Sequence, residues 1–198
     1  AFGIKQADRR SHMYVIGKTG TGKSTLLKTM VLQDIAAGRG LALLDPHGDL
    51  TTEVLRLMPE HRRKKVVYLD TPNANWTFNP LTHIAPGQEA LAVAELVEVF
   101  KKIWTDDWGP RLEHLLRNVL FTLFEMPGAT LADVQPLLTD RKYRAAIASD
   151  LQNPEGREFW LREYAGYSAP FRAVVVAPLQ NKLGALLTDP RMRSIITA

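Results

Sequence analysis

The chain has 198 residues, 45% of them hydrophobic, which is enough for one globular core and barely enough for two small ones. It contains no cysteine, which excludes disulfides, thiol catalysis and cysteine-ligated zinc. No apolar run approaches the ~20 residues that span a bilayer, and the first residues do not resemble a signal peptide. We therefore expect a cytoplasmic chain without membrane contact of its own. Any anchor at the inner face of a membrane would belong to segments outside it.

The formal net charge of +4 is unevenly distributed along the chain. Residues 1–80 carry 12 Lys and Arg against 7 Asp and Glu, and the densest basic run is Arg62–Lys65. Such a run can contact a nucleic acid, but it is more often a solvated turn before a strand. The charge balance permits a polyanionic partner without requiring one.

The first 80 residues predict alternating strands and helices. Strands buried on both faces of a parallel sheet are predicted at three short apolar runs, 12–16, 41–44 and 66–69. Helices are predicted at 22–37, where Gly38 follows the last turn, and at 50–57. Residues 71–86 are rich in Pro, Asn and Thr and predict an ordered loop. This part of the chain therefore predicts an α/β fold.

The pattern changes to helices alone from about residue 87. Apolar residues at helical spacing, prolines at helix starts and a capping box formed by Thr130 and Asp133 mark the elements. The predicted helices are 91–104, 110–126, a short one ending near Leu138, 140–151, 155–165 and 171–188. We therefore predict two domains, an incomplete α/β core at 1–86 and an all-helical subdomain at 87–198.

The segment Gly17–Ser24 reads GKTGTGKS, a complete G-x-x-x-x-G-K-[ST] phosphate-binding loop. Its glycines permit positive φ angles, so that backbone N–H groups can approach phosphate oxygens. The helix that follows directs its positive N-terminus to the same place. Lys23 is expected to reach the β- and γ-phosphates, and the Ser24 hydroxyl to ligate Mg²⁺. The predicted ligands are ATP and Mg²⁺, held by Gly17, Lys18, Thr19, Gly20, Thr21, Gly22, Lys23, Ser24 and Thr25.

A second motif, Asp45–Asp49 (DPHGD), follows the second apolar run. Ligand-facing loops of open α/β sheets lie at such positions, and we predict Asp45 beside Lys23 as a catalytic residue without fixing its role. The D-x-x-G pattern also occurs in GTPases, but the guanine-reading N-K-x-D is incomplete at Asn181–Gly184, so a GTPase is disfavoured. Asp70 ends the third apolar run and is interpreted as the end of a strand rather than as a magnesium ligand.

Three segments together resemble the start of the motor domain in the HerA/FtsK superfamily, and in particular HerA-type ATPases and conjugative type IV coupling proteins. They read RRSHMYVIGKTGTGKSTLL, GLALLDPHGDL and VVYLDTPNANWTFNPL. The helical half, with WGPRLEHLLRNVLFTL, is similar to an insert that some of these proteins carry.

The resemblance implies a RecA-like P-loop NTPase core, a ring of six copies, ATP hydrolysis between subunits and movement of double-stranded DNA. It gives Lys23 and Ser24 the Walker A roles and places Asp45, His47 and Asp49 on a loop beside the nucleotide. It also implies that the Walker B Asp-Glu, the sensor and any arginine finger lie beyond Ala198. We therefore expect this chain alone to bind ATP weakly and to hydrolyse it negligibly.

Two alternatives to a DNA translocase or helicase of conjugation remain open. One is a motor with a protein cargo, as in type IV secretion; the other is a nucleotide-binding scaffold whose helical half holds a protein partner, such as a relaxosome-like complex. The helical half itself offers little chemistry, and His114 is interpreted as a surface or core residue rather than a ligand. Core or subunit contacts are favoured over stacking on bases for Trp104, Trp108 and Trp160. A solvated helix face is favoured over a DNA contact for Arg141, Lys142 and Arg144.

Overall fold

The computed structural model describes residues 4–5, 8–70, 73, 76–82, 84–105 and 108–197. The chain divides into two compact units, Ala1–Tyr68 and Leu69–Ala198, and each is described by itself. Part of the loop predicted at 71–86 lies outside the described residues.

The prediction of an α/β, RecA-like core with a parallel sheet is wrong, because none of the described residues lies in a β-strand. The three apolar runs at 12–16, 41–44 and 66–69 have no regular secondary structure. Their side chains are also largely exposed: Tyr14 is 88% exposed and Leu44 likewise 88%. An all-helical architecture replaces the predicted sheet over the described residues.

The physical reason is that a strand is defined by its pairing and not by its composition. An apolar, β-branched run shows only that a segment suits a sheet. A sheet requires the backbone N–H and C=O groups of one run to bond to those of a neighbour. Over the described residues no such ladder joins the three runs.

The described residues of the first unit form three α-helices, α1 (Lys23–Ala36), α2 (Asp49–Leu57) and α3 (Glu60–Arg63), besides a 3₁₀ turn at Asp8–Arg10. As predicted, α1 ends just before Gly38, which takes a φ of +77°. The two longer helices pack against each other over a small core of Ile35, Val54 and Met58. An ion pair between Lys28 of α1 and Glu53 of α2, 2.6 Å apart, also joins them.

The helices predicted for the second half are confirmed, with ends shifted by one or two residues at most positions. They are α4 (Glu89–Ile103), α5 (Pro110–Glu125), α6 (Val134–Thr139), α7 (Arg141–Asp150), α8 (Pro154–Glu158) and α9 (Ala169–Leu187). A π-helical turn, Phe159–Tyr164, continues α8, and α10 (Pro190–Ile196) was not predicted. The capping box of Thr130 and Asp133 is present, where it opens a 3₁₀ turn before α6.

The core of the second unit is built around α5, which packs against α4 and α9. Its buried face includes Leu115, Leu116, Val119, Leu120 and Leu123. One hydrogen bond between buried side chains lies inside this core, where the Trp160 indole N–H donates to the Thr122 hydroxyl at 2.7 Å. No helix within the described ranges is both long enough and apolar enough to cross a membrane.

Candidate nucleotide-binding site

The phosphate-binding loop leads directly into α1 and takes a backbone conformation that requires glycine. Gly20 and Gly22 have φ angles of +84° and +89°, in the left-handed region that other L-residues rarely adopt. A Cβ atom at either position would meet no atom within 4 Å. The requirement for glycine at these two positions therefore comes from the backbone angle and not from crowding.

Gly17 is favoured for a different reason: it lies close to the side chain of Thr21 in the same loop. A Cβ atom at this position would lie 2.6 Å from the Thr21 hydroxyl oxygen, well inside van der Waals contact. That hydroxyl is held in place because it donates to the Lys18 carbonyl at 2.8 Å. The first and fifth residues of the loop are therefore in close approach.

The N-terminus of α1 offers unpaired donors at the end of this loop. The first bond of the helix runs from the Leu26 N–H to the Gly22 carbonyl at 2.9 Å, so the N–H groups of Lys23, Ser24 and Thr25 have no partner within the helix. No side chain caps this end, and the first turn carries no acidic residue. Such an end attracts anions, because the donors and the helix dipole act in the same direction. These residues therefore fit the phosphates of a nucleotide.

The Lys23 ammonium lies back over the loop. Its Nζ donates to the Gly17 carbonyl at 2.7 Å and to the Lys18 carbonyl at 2.8 Å. These bonds hold a positive charge beside the same backbone turn that presents the N–H groups. The arrangement provides the charge that phosphate oxygens require, on a side chain that is only partly buried.

The Ser24 and Thr25 side chains are both exposed at the start of α1. No group of three or more His, Asp or Glu side chains that could hold a metal occurs among the described residues. Mg²⁺ is commonly bound by one or two protein ligands together with substrate phosphates and water. Ser24 therefore fits the metal only as part of a complex with nucleotide, and not as part of a metal site made by protein alone.

Asp45 has a structural role that we did not predict from the sequence. Its carboxylate accepts hydrogen bonds from the backbone N–H of Thr51 at 2.9 Å and of His47 at 3.3 Å, and so caps α2. The bond from Thr51 is the main reason why the pKa of Asp45 is lowered. No hydrogen bond between described residues joins Asp45 to the phosphate-binding loop. His47 is exposed on the same loop, and Asp49 is exposed as the first residue of α2.

The signal for this cap was present in the sequence but outside the usual pattern. An N-cap is normally the residue just before the helix, which here is Gly48, with φ +82° and no side chain. Asp45 acts from three residues further back, because the positive φ of Gly48 turns the chain between them.

The ionisable and aromatic residues predicted to lie in the core or on the surface of the helical unit do so, but one of them has an environment that was not predicted. Trp160 is buried in the core, and His114 pairs with Glu163 at 3.0 Å. The exception is Arg144, which was expected on a solvated face with Arg141 and Lys142. It is 7% exposed, lies over the Tyr164 ring and donates to the carbonyls that end α6, those of Leu137 and Leu138.

A comparison with known protein families matches residues 6–154 to the family described as "Helicase HerA, central domain". Neither a curated protein nor a solved structure gave a significant match to the chain. The matched span contains the whole phosphate-binding loop, the DPHGD loop and helices α1 to α7. It confirms the resemblance to the HerA/FtsK superfamily and supports a P-loop ATPase that uses a nucleotide. Because the match covers about three quarters of the chain, the protein belongs to the family of the HerA helicase central domain.

Proposed function

We propose that the protein is the ATP-binding part of a motor ATPase that moves double-stranded DNA through a ring of six copies. The observation that carries the nucleotide part is the loop before α1. Residues 20–25 of this loop and helix carry all the parts: two glycines with left-handed backbone, the unpaired N–H groups of the first helical turn and the Lys23 ammonium. Family membership supports the motor class.

Bound ATP with Mg²⁺ supplies the phosphoryl group that water attacks. In the proposed site the N–H groups of Lys23, Ser24 and Thr25 hold phosphate oxygens, and the Ser24 hydroxyl is the metal ligand. Lys23 exchanges its two carbonyl partners for phosphate oxygens and so places its charge where negative charge grows during the reaction. Asp45 is proposed to act beside Lys23 while it keeps α2 in position.

Duplex DNA is proposed as the cargo because the protein belongs to a helicase family and carries a net positive charge. A motor that moves along DNA contacts chiefly the phosphate backbone, so its binding should depend strongly on salt and little on sequence. A role in conjugation or other DNA processing, with a protein complex docked on the helical unit, is part of the same proposal.

The test is ATP hydrolysis by the full-length protein with and without duplex DNA, measured beside a Lys23→Ala variant. Stimulation by DNA that the substitution abolishes would support the proposal. Hydrolysis that ignores DNA but responds to a secreted protein would favour a motor with a protein cargo. Nucleotide binding without any hydrolysis would favour a scaffold.

A further inference from the structure

The basic run, defined as Arg62–Lys65, forms a compact helical turn on the first unit. It begins in the last two residues of α3, and the turn continues because the Lys65 N–H donates to the Arg62 carbonyl at 3.0 Å and the Val66 N–H to the Arg63 carbonyl at 3.1 Å. Four positive charges are therefore held within little more than one helical turn.

Three other basic residues of the same unit have acidic partners. Arg9 and Arg39 share the carboxylate of Asp34, to which each donates at 2.6–2.7 Å, and Lys28 pairs with Glu53 at 2.6 Å. By contrast, no ion pair between the described residues includes any member of the basic run. Within the described part of the chain, no acidic side chain therefore lies within ion-pair distance of these four charges.

Arg62 differs from the other three members of the run. It is half-buried, and its guanidinium lies 3.6 Å from the place where a Cβ atom on Gly38 would stand, just after α1. A cation near the C-terminus of a helix is favourable in itself, so Arg62 has a structural role. Arg63, Lys64 and Lys65 are exposed and have no such role.

We infer that Arg63, Lys64 and Lys65 contact the phosphate backbone of duplex DNA. The inference rests on the proposed function for the identity of the partner, and it adds a surface that the nucleotide site does not include. DNA carries one negative charge for about every 1.7 Å of helix axis, a density that matches three cations on one turn. An anionic membrane fits less well, because α3 has only four residues and cannot form an amphipathic helix lying in a bilayer surface.

The experiment measures the affinity of the full-length protein for a fluorescein-labelled DNA duplex of arbitrary sequence. The measurement is made without nucleotide and at several salt concentrations. We compare the wild type with the triple variant Arg63→Gln, Lys64→Gln, Lys65→Gln. Each lost phosphate contact lowers the slope of log K against log salt by about 0.9, so the slope should fall by about 2 to 3 and the affinity at low salt by at least about tenfold.

A matched control removes three charges from the other unit by Lys102→Gln, Arg141→Gln and Lys142→Gln, all at exposed helix positions. This control should bind DNA with the wild-type slope. Helical circular dichroism checks that both triple variants fold. An equal loss of DNA affinity in the two triple variants would mean that only net charge matters, and it would overturn the inference. Wild-type affinity of the triple variant at Arg63, Lys64 and Lys65 would also overturn it.

The outcome for this surface is separable from the outcome for the proposed function. Lys23→Ala should bind DNA like the wild type, because its defect lies at the nucleotide. If the Arg63 triple variant binds DNA normally and DNA still stimulates hydrolysis, only the surface is wrong. If the wild type binds vesicles of anionic lipid and not DNA, both the surface assignment and the DNA cargo are wrong.

Discussion

The carboxylate of Asp45 accepts a hydrogen bond from the backbone N–H of Thr51, 2.9 Å away, and so fixes the DPHGD loop to the start of α2. The same helix is tied to α1 through Lys28 and Glu53. Asp45 is thus fixed to α2, and α2 packs against α1, the helix that begins at the phosphate-binding loop. A change at Asp45 can therefore act on stability, on hydrolysis, or on both.

Asp45→Asn separates these two roles. An amide oxygen can still accept from Thr51 but not from His47 as well, so the substitution should lower the melting temperature only slightly, whereas it removes the charge proposed to act beside Lys23. We expect hydrolysis to fall at least tenfold. Asp45→Ala, which removes the acceptor as well, should also lower the melting temperature. Full activity of the Asn variant would mean that Asp45 serves only α2.

The glycines of the loop should respond differently to alanine. At Gly22 the cost is the backbone angle, about 1–2 kcal/mol, and no change of a neighbour can relieve it. At Gly17 the cost is the contact with the Thr21 hydroxyl, so Thr21→Ala should restore much of the ATP affinity that Gly17→Ala loses. A double-mutant cycle on nucleotide affinity measures this coupling. Purely additive effects would contradict the close approach of Gly17 and Thr21.

The pair of arginines on Asp34 predicts a pH dependence of the first unit. Burial alone would raise the pKa of Asp34, but hydrogen bonds from Arg39 and Arg9 outweigh it and lower that pKa. Because the pKa is lower in the folded state, the charged Asp34 stabilises the fold at any pH above the pKa of the unfolded chain, about 3.9. This stability is lost as the pH falls through the pKa of the folded state.

Asp34→Asn should therefore cost about 1 kcal/mol at pH 7, and the difference from the wild type should shrink below about pH 4. All four tryptophans lie in the second unit, so amide hydrogen exchange in α1 is the suitable measurement for the first. A difference that grows on acidification would show that the sign is wrong.

Thr122 and Trp160 test the core of the helical unit. Thr122→Val keeps the shape of the side chain but leaves the buried indole N–H without a partner, at a cost of about 1–3 kcal/mol. Thr122→Ser keeps the hydroxyl and should cost less. Urea unfolding followed by tryptophan fluorescence reports on this unit alone. Equal stability of the Val variant and the wild type would show that the bond contributes nothing.

The sequence predicted the helices well because helix ends depend on neighbouring residues. Gly38, Pro110 and the Thr130–Asp133 box act within a few positions of the helix ends that they set. The strands were predicted wrongly because pairing between distant segments is not encoded in any one of them. The bond from Arg9 to Asp34 was missed for the same reason, because 25 positions separate the two residues. The cap made by Asp45 and the burial of Arg144 involve residues only six or seven positions apart, but they follow no common capping pattern.

The loop ending at Lys23 and Ser24 is proposed to hold a nucleotide whose hydrolysis is coupled to DNA. The most direct test is the ATPase rate of the full-length protein with and without duplex DNA, beside Lys23→Ala and the surface control Lys102→Ala. We predict that DNA raises the rate severalfold and that Lys102→Ala leaves the rate unchanged. Lys23→Ala should lower the rate at least a hundredfold, because it removes a charge that acts on the transferred phosphoryl group. An undiminished rate in Lys23→Ala would contradict the proposed site, and a rate that duplex DNA does not change would contradict the coupling.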